Sequence, residues 1–348
     1  MTITVRPLQP TDTAAWDAFV TAHADGTFFH LAAWQRVIIR AFGHATYYLL
    51  AETNGVLTGV LPLARVKTAL FGDQLISVPF CVHGGPLAAD QASFQALEAA
   101  AAEVMRSLGV KVMEFRFRDA PPDWLAEADW PARGDLYVLF RKTISASDDA
   151  NLKAIPRKQR AMVRKGIDLG LRSELDPGVD RLHAIYAESV RNLGTPVFAK
   201  RYFQILVDEF AGAIDIVTIM DGEAAIASVM NFYFRDEVLP YYGGGRAIAR
   251  DRYGNDFMYW EVMRRAAAKG CTVFDFGRSK LGTGAMAFKK NWGFTPVPMH
   301  YRFRLAAGAA IPDNNPLNPK FALFIAAWKR LPIPLANLLG PHIVRGLG

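Results

Sequence analysis

Cysteine is scarce in this 348-residue chain: only Cys81 and Cys271 occur. Both sit in what read as strand edges, so two buried free thiols are expected rather than a disulfide or a nucleophile. No Cys/His spacing suits a structural zinc, and no metal is expected. Charged residues are sparse as well, at 21% against 51% hydrophobic, which excludes a disordered chain. The opening segment, 1–12, lacks the basic and apolar stretches of a signal peptide. No uninterrupted apolar run reaches about 18 residues, the length of a membrane span. A cytoplasmic location is therefore expected, free or peripheral at the inner face of the membrane.

What is present begins with length enough for two domains of ordinary size. A net charge of +7 and a pI near 9.4 point to an anionic partner, a phosphorylated substrate, a nucleic acid or a membrane surface.

The order of elements repeats. In the first half a strand at 3–6 precedes a helix at 12–23 and a second helix carrying Trp34, Val37, Ile38 and Ala41 at helical spacing. Strands 47–52 and 57–66 meet at Asn54-Gly55, a hairpin signal because both residues tolerate positive φ. Then come Gly84-Gly85-Pro86, an Ala-rich helix at 91–108, Gly109 as its cap, and a strand at 110–117. In the second half, helices at 180–193 and 200–210 lead to strands 214–220 and 225–234 around Asp221-Gly222. A strand at 238–243 runs into Gly243-Gly244-Gly245. A helix at 255–269, capped by Gly270, precedes a strand at 272–276. Gly55, Gly84 and Gly109 thus correspond to Gly222, Gly243 and Gly270. The polar stretch from Ser145 to Asp149 marks a boundary, giving domains at 1–145 and 146–310 and a helical tail at 311–348.

Three motifs carry possible chemistry. Arg157, Lys158, Arg160 and Arg164 follow Pro156, which suits a first helical turn. Arg157, Arg160 and Arg164 share one face and repel one another, so the face reads as an anion site or as a solvated basic surface. The run Phe274-Asp275-Phe276-Gly277-Arg278-Ser279-Lys280 places a carboxylate in an apolar strand, where it needs a partner or a task. Its glycines admit close approach of a ligand, and Arg278 and Lys280 suit an anionic or carbonyl group. The alternative is a loop held by a structural Asp–Arg pair. Third, Phe288-Lys289-Lys290 lies on a short helix ending at Gly293. A fixed ammonium stabilises the oxyanion of acyl transfer, and two adjacent lysines cannot share a helix face, so one is functional and the other exposed. Tyr242 with Gly243 and Gly244 reads either as packing or as a ligand surface. His83 and His300 stand alone and read as structural.

The order β-α-α-β-β-β-α-β resembles the acetyltransferase (GNAT) fold, so an α/β fold of two tandem GNAT-like domains with mixed sheets is expected. The segments Phe28 to Trp34, Val78-Pro79-Phe80, His83 to Leu87, Pro156 to Arg160 with Gly170-Leu171, and Phe274 to Phe294 resemble the FemAB family of aminoacyltransferases. The nearest likeness is to the FemAB-like proteins of exopolysaccharide and exosortase (PEP-CTERM) systems. That resemblance implies transfer of an acyl or aminoacyl group to an amine of a cell-envelope saccharide or peptide precursor. It places the family's lysine on Lys289. Asp275 and Arg278 would orient the acceptor. Arg157, Lys158, Arg160 and Arg164, with Tyr242, Gly243, Gly244, Ser279 and Lys280, would bind substrate. No permanently bound cofactor is expected; the donor is an aminoacyl-tRNA or an acyl-CoA. Partners would be a nucleotide- or lipid-linked anionic precursor, tRNA, and a membrane surface met by the tail. The glycine signature that holds coenzyme A is missing around Arg246–Arg250, which argues against acetyl-CoA. The rival readings are a coenzyme-A-dependent N-acyltransferase and a non-catalytic carbohydrate- or RNA-binding protein that keeps the fold.

Overall fold

A computed structural model describes residues 2–69, 71–125, 129–133, 137–312 and 322–348. The chain builds β1 (Ile3–Pro7), α1 (Thr13–Ala22), α2 (Ala33–Phe42), β2 (Thr46–Thr53), β3 (Val56–Thr68) and β4 (Gly72–Ser77). Next come β5 (Leu87–Ala88), α3 (Gln91–Ser107), β6 (Val112–Phe117), β7 (Ala132–Arg133) and β8 (Tyr137–Thr143). There follow α4 (Asp148–Ala154), α5 (Arg157–Asp168), β9 (Arg172–Leu175), α6 (Asp180–Leu193), α7 (Lys200–Glu209), β10 (Ile214–Asp221), β11 (Ala224–Phe234) and β12 (Glu237–Gly245). Last are α8 (Ala247–Asp251), α9 (Gly254–Ala268), β13 (Val273–Lys280), α10 (Gly284–Asn291), β14 (Pro296–Pro298), β15 (His300–Leu305), α11 (Ala322–Trp328) and α12 (Ile333–Val344). Among the described residues no helix is long and apolar enough to cross a membrane.

Local chemistry fixes the repeated landmarks. Asn54 and Gly55 both take positive φ, 53° and 79°, which turns β2 tightly into β3. In α3, the Asp90 side chain accepts from the Ser93 amide at 2.7 Å, capping the helix start. Gly109 (φ 64°) and Gly270 (φ 86°) end α3 and α9 in the same way. The residue after each glycine, Val110 or Cys271, returns its amide to Met105 or Ala266. Phe94, Leu97, Ala101 and Met105 form the buried stripe of α3 and pack on the first sheet's core. In the second core α9 supplies Phe257, Trp260, Val262, Met263 and Ala266. Both cysteines are buried free thiols.

The described residues of Met1–Leu136, Pro298–Asn314 and Arg345–Gly348 form one compact unit, and those of Tyr137–Val297 and Asn315–Val344 another. The first sheet has the order β1-β2-β3-β4-β6-β15-β7, with β5 on β3; the second has the order β14-β8-β13-β12-β11-β10-β9. Each half runs β-α-α-β-β-β-α-β, with β1 and β9 as the opening strands. Neither β4, β8 nor β9 was expected from sequence. The strand beyond β6 is β15, from far along the chain, paired antiparallel from His300↔Phe117 to Leu305↔Val112. The strand beyond β13 is β8, which precedes the second half.

The tail forms α11 and α12, and both dock on the second unit beside α6. A Cβ on Gly194 would lie 2.5 Å from Ile325, and one on Gly340 would lie 2.8 Å from the Val197 carbonyl. Trp328 Nε1 donates to the Thr195 carbonyl at 3.2 Å. The sequence reads as an apolar stripe of Phe321, Phe324, Ile325 and Trp328 with Lys320, Lys329 and Arg330 beside it; of these, Phe321 and Lys320 lie outside the described residues.

Candidate active site

In the second sheet β12 and β13 run parallel but pair only at Glu237↔Val273 and Val238↔Phe274. Beyond these points the strands part. On its other edge β13 stays paired with β8, except at an interruption between Asp275 and Arg278, opposite Arg141 and Leu139. This is a β-bulge, and Gly277 permits it with φ 67°.

Asp275 braces that bulge. It is 2% exposed, and its Oδ1 accepts from the Gly277 amide at 2.6 Å. Its Oδ2 lies 3.6 Å from Arg141 Nε, which donates to Glu237 Oε1 at 2.8 Å. Burial, with the Glu237 carboxylate nearby, pushes the Asp275 carboxyl well above the usual range, while Arg141 and the Gly277 amide pull it back.

Lys289 holds the bulge from the α10 side. Its Nζ donates to the carbonyls of Gly277 at 3.1 Å and Arg278 at 2.9 Å, and it lies 5.5 Å from the centre of the Phe140 ring. Burial lowers its pKa to about 8, partly offset by Asp275, with Arg278 adding to the fall. Lys290 is exposed. The α10 register that separates them is set by Thr283, whose side chain caps the helix, and by Trp292, buried against Phe276 and Tyr259.

Arg278 and Lys280 share a face of β13 with Asp275. Their charges lie 4.5 and 5.4 Å from the Tyr137 ring. Ser279 pairs with Val138 and so takes the opposite face, the one Phe140 occupies. Its hydroxyl is buried and makes no hydrogen bond to the described residues.

Other sequence candidates are placed elsewhere. The Tyr242 hydroxyl lies 2.7 Å from that of Tyr202, and its ring packs among Tyr186, Phe198 and Phe203. Gly243 and Gly244 lie within β12 rather than after it. A Cβ on Gly244 would stand 2.6 Å from Ser189 of α6, and one on Gly243 3.0 Å from Val229, so these glycines let neighbours close onto the strand. On α5, Arg157, Lys158 and Arg164 are exposed, and Arg160 donates to the Lys153 carbonyl at 3.3 Å. No carboxylate among the described residues forms an ion pair with these four.

Sequence reasoning missed Asp256, Arg141 and Glu237. Asp256 accepts from Trp292 Nε1 at 3.0 Å and from the Gln159 amide, so it ties α10 to the basic helix α5. Its carboxyl is raised by burial, and both hydrogen bonds oppose that shift. No local pattern signals a carboxylate whose partners come from two distant helices.

In the first unit the family-like motifs have structural partners. Trp34 Nε1 donates to the Phe28 carbonyl at 3.0 Å. His30 joins the two motifs through Thr27 at 2.8 Å and the Gly85 carbonyl at 3.0 Å, and burial lowers its pKa to about 3. Both amides of Gly84 and Gly85 donate to the Arg116 carbonyl. A cavity of about 340 Å³ opens beside these residues, walled by His23, His83, Phe94, Phe117, Arg118 and Trp124.

Residues 151–290 match the family model described as an acetyltransferase (GNAT) domain. Residues 151–290 form a GNAT-like domain. That match covers the bulge and Lys289 and supports an acyltransferase enzyme. Among solved structures the chain is similar to FemX, with 15% identity and a TM-score of 0.69 over 87% of this chain and 97% of that one. It is also similar to a tandem GNAT protein from the clavulanic acid biosynthesis pathway, with 13% identity and a TM-score of 0.56 over 89% and 100%. At these identities the likeness establishes the fold, two mixed-sheet GNAT-like domains with a C-terminal helical region. No curated protein matches the chain.

Proposed function

We propose that this GNAT-fold acyltransferase moves an acyl or aminoacyl group onto an amino group of a cell-envelope saccharide or peptide precursor, as the FemAB-like motifs imply. The observation that carries the reading is the fixed ammonium of Lys289 beside the parting of β12 and β13. Two of its three N–H donors go to the bulge carbonyls, and the third remains for a substrate oxygen.

The chemistry follows from that geometry. The acceptor amine attacks the donor's carbonyl carbon, negative charge grows on the carbonyl oxygen, and the intermediate collapses to an amide as the donor's ester or thioester bond breaks and its hydroxyl or thiol leaves with the amine's proton. An ammonium preorganised in a dry site stabilises this oxyanion more than the ground-state carbonyl, which lowers the barrier. The Ser279 hydroxyl is a further donor for substrate. Asp275 acts through Gly277 by holding the bulge, and Arg278 orients the acceptor. The cations Arg157, Lys158, Arg160 and Arg164, lacking carboxylate partners, bind the phosphates of an anionic substrate.

An aminoacyl-tRNA donor is favoured over coenzyme A. In the segment after β12, where a GNAT domain would cradle pyrophosphate, α8 takes the place of a glycine-rich loop. The amides of Arg246, Ala249, Arg252 and Tyr253 already donate to the chain's own carbonyls. The exosortase-type likeness suggests an exopolysaccharide-linked acceptor.

The test is transfer itself. Incubation with a mixture of charged tRNAs and a UDP-linked muramyl peptide should add an aminoacyl mass to the acceptor, read by mass spectrometry. Calorimetry with acetyl-CoA should show binding no tighter than roughly millimolar, about 4 kcal/mol. Micromolar acetyl-CoA binding with acetylation of the acceptor would replace the tRNA donor. Absence of transfer from either donor to any amine would leave a non-catalytic binder.

A further inference from the structure

The tail has two sides, and among the described residues the protein packs against one of them. In α12, Ala336, Gly340 and Val344 are buried, four residues apart on one face. In α11, Trp328 is buried and Ile325 touches Gly194. The other sides carry Leu323 (85% exposed) and Phe324, then Leu335, Leu338 (66% exposed) and Leu339. Leu335, Leu338 and Leu339 fall at i, i+3 and i+4, so they form one outward stripe. Elsewhere exposed large apolar side chains such as Ile39, Val56 and Ile248 stand far apart in sequence, and among the described residues only Ile167 and Leu169, at the end of α5, lie close together. Single exposed apolar residues are ordinary, but a cluster on adjacent helices marks a contact surface.

Charge names the contact. From Ala322 to Gly348 the sequence contains no Asp or Glu, while Lys329, Arg330 and Arg345 are present. Lys329 and Arg330 are exposed at the turn between α11 and α12. An apolar stripe flanked by cations and free of carboxylates suits the interface of an anionic bilayer. A protein partner would call for charges of both signs around the stripe, and apart from Asn337 and His342 the polar side chains of this segment are cationic.

We propose that α11 and α12 form a peripheral docking surface for anionic phospholipid, with the Leu335–Leu338–Leu339 stripe entering the interface and Lys329 and Arg330 meeting the headgroups. The docked side, through Trp328 and Gly340, holds the pair against the second unit. The inference does not rest on the transfer reaction, and its test needs no substrate.

The experiment is sedimentation of the full chain with vesicles. Vesicles of phosphatidylcholine with one quarter phosphatidylglycerol should pull the protein down, and phosphatidylcholine alone should not. Leu335→Ser, Leu338→Ser and Leu339→Ser combined should lower partitioning by about tenfold or more, with an unchanged melting temperature because all three are exposed. Lys329→Gln with Arg330→Gln should remove the preference for phosphatidylglycerol while leaving the fold intact. No sedimentation with the anionic vesicles overturns the proposal, as does sedimentation that the serine variant keeps. A wild-type dimer on gel filtration that the serine variant dissolves would also overturn it, assigning the stripe to a second copy of the chain.

Discussion

Where the first sheet parts, β6 carries Glu114 and Arg116; where the second parts, β13 carries Asp275 and Arg278. In the first unit the two charges pair with each other at 2.6 Å, almost fully buried. The Arg116 guanidinium also donates to the Cys81 and Gly348 carbonyls at 2.9 Å. Each of its three nitrogens thus donates within the chain. In the second unit Gly277 breaks the pairing, Asp275 turns to a backbone amide, and a lysine from α10 enters with a donor to spare. The same scaffold therefore holds a closed charge pair in one unit and an open one in the other. A one-residue irregularity at Gly277 separates the two outcomes.

The contrast is broken most strongly from the closed side. Arg116→Met leaves Glu114 buried without its cation, and loss of one partner of a buried pair costs about 3–5 kcal/mol. Thermal denaturation should show a large fall, while transfer per folded molecule changes little. On the open side, Lys289→Met should lower kcat by on the order of a hundredfold or more, about 3–4 kcal/mol, with KM nearly constant and no fall in melting temperature. Lys290→Met should behave like the wild type in the same assay, and equal loss in both would remove the assignment.

The low pKa of Lys289, about 8, adds a pH signature. A reaction that needs the ammonium falls as pH rises through that value, and Lys289→Arg should shift this alkaline limb out of range. Stability moves the other way. The unfolded lysine binds its proton up to its ordinary pKa near 10.5, so the cost of burying the ammonium is present below about 8 and fades between the two values. Denaturant titrations of wild type and Lys289→Met should converge over that window.

A smaller effect is expected at the bulge. Gly277→Ala forces a side chain into positive φ, costing about 1 kcal/mol, and moves the carbonyls that hold Lys289. It should depress kcat more than stability. Smallest is the basic face: Arg157→Gln with Arg164→Gln should raise KM for an anionic substrate and flatten its salt dependence, with kcat retained.

Sequence made the local landmarks readable because their causes are local. Asn54-Gly55, Gly109 and Gly270 each answer to φ alone. That Lys289 and Lys290 face different ways was readable because neighbours on a helix point in different directions, while the choice of Lys289 came from the family resemblance. The partner of a strand is not a local property: β8, Tyr137–Thr143, reads like any half-buried strand, and nothing in it says which sheet it joins. Arg141 and Glu237 were invisible for the same reason, being 96 residues apart. Gly243 and Gly244 read either as packing or as a ligand surface, and the close passage of Ser189 and Val229 is a contact that sequence does not reveal.

The position of β15 in the first sheet has a kinetic consequence. On the ribosome, β1 to β6 emerge early, yet the edge of β6 stays unpaired until residues 300–305 have been made. An open strand edge is a template for wrong pairing. The first unit must therefore wait, partly built, through synthesis of the whole second half, and its closing contacts span a long stretch of chain, which slows folding. Chains halted before Pro298 should be caught by chaperones, and completion of the first sheet should follow synthesis of the second half.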